Sequence, residues 1–320
     1  MTNQFSGHRV LVTGGAGFIG SHLVEDLVGR NAQVTIIDDL STGRLSNLAA
    51  VKDGLEVRGL DLTREDIRPL LAEKKFTLIC HVAGNANVPV SVEQPRMDFE
   101  KNAVATINLL EAIRAAAPDA KVIHTSSASV YGKACLTATR EDDPASPLSP
   151  YGVSKLASEH YMSVYAQLYG LRTATLRLFP VYGPRLRKQV VYDLMCKLQN
   201  NPSELQIQGD GNQERDFNHV SNVIEAYLTV AEKARFEGEV YNVAAEETVT
   251  IRQLAEMTCQ RMGAGPRFVF GEARAGDTQR LKADIARLKA LGYQPRLKLA
   301  DGLAQTIAWF RQETAAASHD

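Results

Sequence analysis

TGGAGFIGSH, residues 13–22, places glycines at 14, 17 and 20 directly after a strand-like run, HRVLVTG, and at the opening of an amphipathic stretch from Phe18 to Gly29. Glycine lets such a turn close and lets backbone approach a ligand. The first turn of the following helix offers unpaired N–H groups and a partial positive charge, so the segment reads as a pyrophosphate cradle between a strand and a helix. Asp38 ends the next apolar run, QVTIID, 18 residues beyond Gly20. That spacing suits a carboxylate that accepts hydrogen bonds from an adenosine ribose and repels a 2′-phosphate, which favours NAD over NADP. Arg44 is the one nearby cation that would cover such a phosphate. Asp61, in GLDLT after the third strand-like run, either caps the next turn or meets the adenine edge.

Outward from this loop, short β-branched runs alternate with helical patterns: LEVRG, a helix near 65–73, TLICHVAG, a long helical pattern from about 94 to 117, then KVIHTSS. Alternation of this kind indicates βαβ units and a doubly wound parallel α/β sheet covered on both faces. From Phe179 the rhythm changes, with Pro180, Pro184, Pro202 and GDG at 209–211, so we divide the chain into a dinucleotide-binding domain over 1–178 and a smaller α/β substrate lobe over 179–320. The boundary is soft, because later segments can return to the first sheet. The terminal ETAAASHD reads as a frayed tail.

The 320 residues carry 36 Lys and Arg against 37 Asp and Glu, and 44% are hydrophobic, which describes an ordinary globular chain with no field that would attract nucleic acid or an anionic membrane. Four separated cysteines and seven histidines without paired spacing argue against a disulfide framework or a metal site. With no cationic, apolar leader and no run of membrane-spanning length, the expected location is the cytoplasm.

SPYGVSK sets Tyr151 and Lys155 four residues apart just after Pro150, on one face of a helix that would begin there. An ammonium beside a phenol favours the phenolate, as would an oxidised nicotinamide ring, so both pull a tyrosine down from about 10 towards working pH. Such a phenolate takes the proton of a substrate hydroxyl while the same carbon gives its hydride to a cofactor.

The ordered set TGGAGFIG, DDLSTG, HVAG, SSASVYG, SPYGVSK, VYGPR, QGDGNQERDF, EARAGD and GYQPRLKLADGLAQTIAWF resembles the extended short-chain dehydrogenase/reductase family over nearly the whole chain. Within it, the likeness is to the NAD-dependent nucleotide-sugar epimerases and dehydratases, most of all to UDP-glucose 4-epimerases. The resemblance implies NAD held by Gly14, Gly17, Phe18, Ile19 and Gly20, by Asp38, Asp39, Ser41, Thr42 and Gly43, and by Asp61 and Leu62. It adds Val82, Ala83 and Gly84, Asn102 near the nicotinamide half, Ser126 and Phe179. It implies a catalytic trio of Ser127 orienting the 4-hydroxyl, Tyr151 as base, and Lys155 as its electrostatic partner and a ribose ligand. Ser127, Ser129, Arg185, Arg215, Arg274 and Asp277 would meet a nucleotide diphosphate sugar, with guanidinium pairing bidentately to phosphate. A homodimer through the helices at about 94–117 and 150–169 is implied as well.

Members of this family oxidise the sugar at C4 and differ in how the resulting ketone is used. Dehydratases place Asp and Glu after the catalytic hydroxyl, to serve elimination, where this chain has Ala128 and Ser129. Decarboxylases place a glutamate at the position of Ser129. A carboxylate-free motif suffices for 4-epimerisation, so a UDP-hexose 4-epimerase is the expectation, with glucose, galactose or N-acetyl forms as substrate. UDP-glucuronate epimerisation or decarboxylation and 4-keto-sugar reduction are the alternatives, and a non-catalytic NAD-binding protein is disfavoured because Tyr151 and Lys155 are both present. Pro180 stands where the family has an asparagine, which removes a diphosphate contact, and the cationic Arg185, Arg187 and Lys188 are placed to compensate or to meet a C6 carboxylate. Asn222 replaces a customary aspartate.

Overall fold

A computed structural model describes residues 5–132, 138–272 and 280–317. Its centre is a parallel sheet of seven strands: β1 (Arg9–Thr13), β2 (Gln33–Ile37), β3 (Glu56–Arg58), β4 (Leu78–His81), β5 (Lys121–Ser127), β6 (Arg172–Leu178) and β11 (Glu237–Val243), in the order β11-β6-β5-β4-β1-β2-β3. The order reverses between β1 and β4, so a crevice opens beyond their carboxyl ends, at Thr13 and His81.

Side chains of β1 alternate between two cores, as the two-residue period of a strand requires. Val10 and Val12 pack with Leu23 and Leu27 of α1 (Phe18–Gly29) and with Val223 and Tyr227 of α8 (Val220–Lys233). Leu11 packs on the other face with Leu71 of α2 (Arg68–Lys74), Leu109 and Ile113 of α5 (Ala105–Ala116) and Met162 of α6 (Pro150–Tyr169). Each such aliphatic side chain contributes about 1.5–3 kcal/mol by leaving water.

The chain from Phe179 onward does not stay in one lobe. β11 and α8 complete the first sheet and its cover. The second lobe holds β9 (Glu214–Asp216) between β12 (Thr248–Thr250) and β14 (Arg280–Leu281), the parallel pair β8 (Glu204–Ile207) and β13 (Arg267–Phe270), and the helices α7 (Gln189–Asn200), α9 (Ile251–Met262) and α11 (Leu299–Ala317). The expected frayed tail is helical through Ala317, and its Glu313 pairs with Arg187.

The long helical pattern read over 94–117 is helical from Pro95 to Ala116, with one irregularity inside it. α3 (Val88–Glu93) precedes α4 (Pro95–Phe99), and a π-helical turn over Glu100–Val104 separates α4 from α5. Wide turns of this kind are frequent at functional sites. By contrast α6 is continuous: Ser149 accepts the Gly152 N–H at 3.2 Å, Pro150 fills the first turn, and Gly170 ends the helix in the left-handed region at φ 69°.

A buried ion pair locks α6 to β6. Glu159 and Arg177, with side chains 3% and 8% exposed, share bonds at 2.7 and 3.0 Å, and Arg177 also donates to the Tyr131 hydroxyl at 2.9 Å. Tyr131 in turn donates to Asn242 of β11 at 2.6 Å. Removing one partner strands the other's charge in the interior, so Glu159→Ala is expected to cost about 3–5 kcal/mol. Urea denaturation measures this, and a loss below about 1 kcal/mol would contradict it.

Candidate active site

The glycine loop has the geometry its sequence demands. Gly14 sits at φ +70°, and a Cβ there would stand 2.7 Å from the Ala83 nitrogen. A Cβ on Gly20 would stand 2.1 Å from the Gly14 carbonyl oxygen, so α1 packs against the loop as only glycine permits. Gly17 begins α1 in extended conformation, and no described side chain caps that end. Its first N–H groups therefore suit an anion.

Asp38 lies at the end of β2, nearly buried. One of its oxygens accepts the Ala16 N–H at 2.9 Å and the other the Leu40 N–H at 2.9 Å. Burial raises its pKa, against these two N–H groups. Asp39 binds Ser41 in its own turn, and Asp61 accepts from the Thr63 N–H and hydroxyl at 2.9 and 2.8 Å, which makes turn capping its visible task. Lys101, from the π-turn, donates to Asp39 at 2.5 Å and to Asp61 at 3.1 Å, tying the two loops together. Nothing in the sequence pattern singled out Lys101. Thr42 and Ser41 are exposed beside Gly43, whose Cβ position lies 2.7 Å from an Asp38 oxygen. Leu62 is buried in the second core.

At the other end of the crevice, Ala83 N–H lies 3.3 Å from the Thr13 hydroxyl, and Val82 N–H donates to the Thr13 carbonyl at 3.1 Å. Phe18 and Ile19 pack at the start of α1, and Phe179 is fully buried against Tyr131. Ser127 ends β5 and accepts the Ser129 N–H at 3.2 Å, with its hydroxyl 3.1 Å from that of Ser129. Ser127 is also the side-chain hydrogen-bond partner of the Tyr151 phenol. Lys155 donates to the Thr125 carbonyl at 3.0 Å, so Thr125 serves the site through its backbone.

The structure changes one expectation about this trio. Burial pushes Tyr151 up to about 12, against the Ser127 hydrogen bond and with Asp98 adding to the rise. Burial lowers Lys155 to about 8, while Asp98 and then Glu159 draw it back up. The phenol is thus held neutral by its surroundings, and a further positive charge beside it is needed before it acts as a base. His81 and His124 stay neutral, His81 pushed down to about 3 by burial and by Lys155. Neither imidazole is available for proton transfer near neutral pH.

The cationic contacts divide. Arg185 bonds Ser21 at 3.1 Å and Glu25 at 2.5 Å on α1, and Arg187 pairs with Glu313 over the Trp309 ring. Lys188 donates to the Ala86 carbonyl at 3.2 Å, and no described carboxylate pairs with it. Arg215 lies on β9 and donates to the Glu214 carbonyl at 2.9 Å. Arg274 and Asp277 lie outside the described residues. Pro180 offers its carbonyl to Asn218 N–H at 2.8 Å. Asn222 both donates to and accepts from the backbone of Leu297, at 2.9 and 3.0 Å, an exchange that a carboxylate cannot make.

A dinucleotide fits these residues. The cradle excludes any Cβ at Gly14 and Gly20, and two buried polar atoms, the Asn102 carbonyl oxygen and the Ser126 hydroxyl, have no partner among the described residues. Together the switch-point crevice, the glycine loop and the Ser127, Tyr151, Lys155 group define an oxidoreductase-type enzyme of the short-chain dehydrogenase/reductase class.

Comparison with known proteins narrows the class. The family described as GDP-mannose 4,6 dehydratase matches residues 11–306. A UDP-glucose 4-epimerase of Mycolicibacterium smegmatis is 37% identical over 313 residues, covering 96% of this chain and 99% of that protein. Among solved structures, a UDP-N-acetylglucosamine 4-epimerase from Methanobrevibacter ruminantium, in complex with UDP-N-acetylmuramic acid, superposes with a TM-score of 0.89 at 32% identity, over 96% of this chain and 99% of that one. A dTDP-glucose 4,6-dehydratase from Streptomyces venezuelae with NAD bound gives 0.88 at 30% identity, over 96% and 98%. The chain belongs to the extended short-chain dehydrogenase/reductase family of nucleotide-sugar epimerases and dehydratases.

Proposed function

We propose that the protein is an NAD-dependent 4-epimerase of a nucleoside diphosphate sugar, with a UDP-hexose as substrate. The observation that carries this over dehydration is the turn after Ser127. Ala128 is buried, and Ser129 spends its backbone and hydroxyl on Ser127, so neither position after the catalytic hydroxyl offers a carboxylate to remove a C5 proton or protonate a leaving 6-hydroxyl.

Ser127 orients the 4-hydroxyl of the sugar and Tyr151 takes its proton as C4 becomes a ketone. Bound NAD would supply the hydride acceptor and donor for C4. Lys155, with its ammonium on the Thr125 carbonyl, favours the phenolate. Reversal on the opposite face of the ketone gives the epimer, with Tyr151 handing back the proton. Asp38 would bind the adenosine ribose, the amino end of α1 the pyrophosphate, and Asn102 and Ser126 the nicotinamide end. Arg215, Arg274 and Asp277 remain our assignments for the nucleotide diphosphate sugar. Arg185 is the weakest of that set, since Glu25 already neutralises it.

Lys188 favours a second reading, a UDP-hexuronate substrate. It is the one cation of the 185–188 stretch without a described carboxylate partner, and a C6 carboxylate would supply one.

One experiment separates these readings: incubation with UDP-, GDP-, CDP- and dTDP-sugars, UDP-glucuronate included, with and without added NAD. Conversion of a UDP-hexose to its C4 epimer without added cofactor is the expected result. Stoichiometric NADH with a keto product would sink the epimerase reading in favour of a 4-keto-sugar reductase running in reverse, and a 4-keto-6-deoxy product with no net NADH would sink it in favour of a dehydratase.

We also place the enzyme in the cytoplasm as a homodimer. Among the described residues no helix is long and apolar enough to cross a membrane. The described cysteines, Cys80, Cys196 and Cys259, are free thiols, as a reducing compartment favours. Val153, Tyr161, Val164 and Leu168 of α6 are exposed, Leu168 by 70%, which suits burial against a second copy. A monomer mass by light scattering at micromolar concentration would refute the dimer.

A further inference from the structure

Asp98 lies at the centre of α4 with none of its surface exposed. One carboxyl oxygen accepts from the Asn85 amide at 2.6 Å and the Asn102 amide at 3.0 Å, and the other has no partner among the described residues. Both donors are neutral amides, so this buried carboxyl group has no bonded cation among the described residues. Isolated buried charges are costly, and a native structure compensates them nearby.

The complementary case stands on α6. Lys155 is also buried, and its only bonded partner among the described residues is a neutral carbonyl, that of Thr125. Its surroundings are Tyr151 and Glu159 on its own helix, His124 on β5, His81 on β4 and Asp98 on α4. Both histidines are held neutral and Tyr151 is a neutral phenol. Glu159 is engaged by Arg177 through three contacts of 2.7 to 3.0 Å, so its charge is already matched. That leaves Asp98 as the one acidic neighbour of Lys155 with no bonded cation among the described residues.

Geometry adds a second role. Asn102 gives its amide nitrogen to Asp98, which turns its carbonyl oxygen the other way. A Cβ on Gly84 would lie 2.4 Å from that oxygen and 3.2 Å from the Lys155 ammonium, so the two converge over Gly84. The π-turn fixes this arrangement, because the Asn102 backbone carbonyl is held by the hydroxyls of Thr106 at 2.6 Å and Ser158 at 3.3 Å.

We propose that Asp98 is a positioning residue of the reaction: it aims the Asn102 carbonyl oxygen over Gly84 and supplies the buried counter-charge that holds Lys155 as an ammonium. The proposal rests on the Tyr151 and Lys155 assignment. Its test reads a proton on a lysine, so it fails or survives independently of whether any sugar is epimerised.

The experiment is an NMR titration of purified protein labelled with carbon-13 at the lysine ε position, with the Lys155 signal identified by its loss in Lys155→Met. The wild-type midpoint is expected near 8. In Asp98→Asn, which keeps the size of the side chain and an acceptor oxygen but removes the charge, it should fall by about 1–3 units, since an opposite charge at close range shifts a titration by that much. The protonated fraction at pH 8 then drops by about fivefold or more, and the alkaline limb of the activity profile moves down in parallel. Asn85→Ala, which keeps the carboxylate, should leave the midpoint in place. An unchanged midpoint in folded Asp98→Asn would overturn the proposal. Should that variant not fold, the Asp98 carboxyl carbon, labelled and assigned in the wild type, decides: a shift at the midpoint of Lys155 supports the coupling, and a flat trace through that range overturns it.

Discussion

Tyr151→Phe is expected to lower epimerisation by about 10²–10⁴-fold, the range typical of losing a positioned acid–base group. The fold should be unaffected, because the phenol's one described side-chain partner is Ser127 and the ring stays buried. Removing a hydroxyl that burial holds near 12 takes away the proton acceptor without leaving a charge behind. Cofactor retained on purification should match the wild type. Turnover equal to the wild type would refute the assigned base, and loss of turnover together with loss of cofactor would mean that the tyrosine is chiefly a binding residue.

Gly20→Ala should act at the opposite end of the crevice and by a different route. The added Cβ would stand 2.1 Å from the Gly14 carbonyl oxygen and 2.8 Å from the Gly15 α-carbon, both of them backbone atoms that cannot swing aside. Relief requires α1 to move away from the loop, at a cost of about 1–3 kcal/mol for overpacking of this kind. If that cost falls on the cradle, affinity for the dinucleotide drops by about 5- to 150-fold. Calorimetric titration with NAD measures it. Unchanged affinity alongside unchanged thermal stability would show that the helix does not pack against the loop as described.

Range along the chain decides which features the sequence disclosed and which it hid. The cradle glycines and the Tyr151, Lys155 pair were legible because their logic is local: a strand, a turn and one helical face fix them within a few residues. The parallel sheet was legible for the same reason, as alternating short patterns. The helix over 94–117 was legible as well, but the π-turn inside it, which shifts the register at Lys101 and Asn102, leaves no mark in the apolar spacing.

The partners of the cations were hidden by separation along the chain. Arg185 meets Glu25 across 160 residues and Lys101 meets Asp39 across 62, and no spacing rule connects them. Arg185 therefore looked like an anion-binding residue when its charge was already matched. Asp98 was overlooked because a single aspartate in a helical pattern reads as surface charge, and only the packing of α4 shows that it is buried. The expectation that Lys155 would bring Tyr151 towards neutral pH underestimated desolvation, which no motif records.

The late return of β11 to the central sheet bears on how the molecule is made. Until residues 237–243 have been synthesised, β6 is the outer edge of the sheet, with its hydrogen-bonding groups open on one side and the apolar side chains of Leu176 and Leu178 uncovered by α8. At about 5–20 residues per second, the ribosome leaves that edge open for several seconds while the intervening 58 residues, 179–236, are added. A nascent chain ending at 178 would therefore be an aggregation-prone intermediate rather than a finished domain, and chaperone capture should peak over that window of elongation.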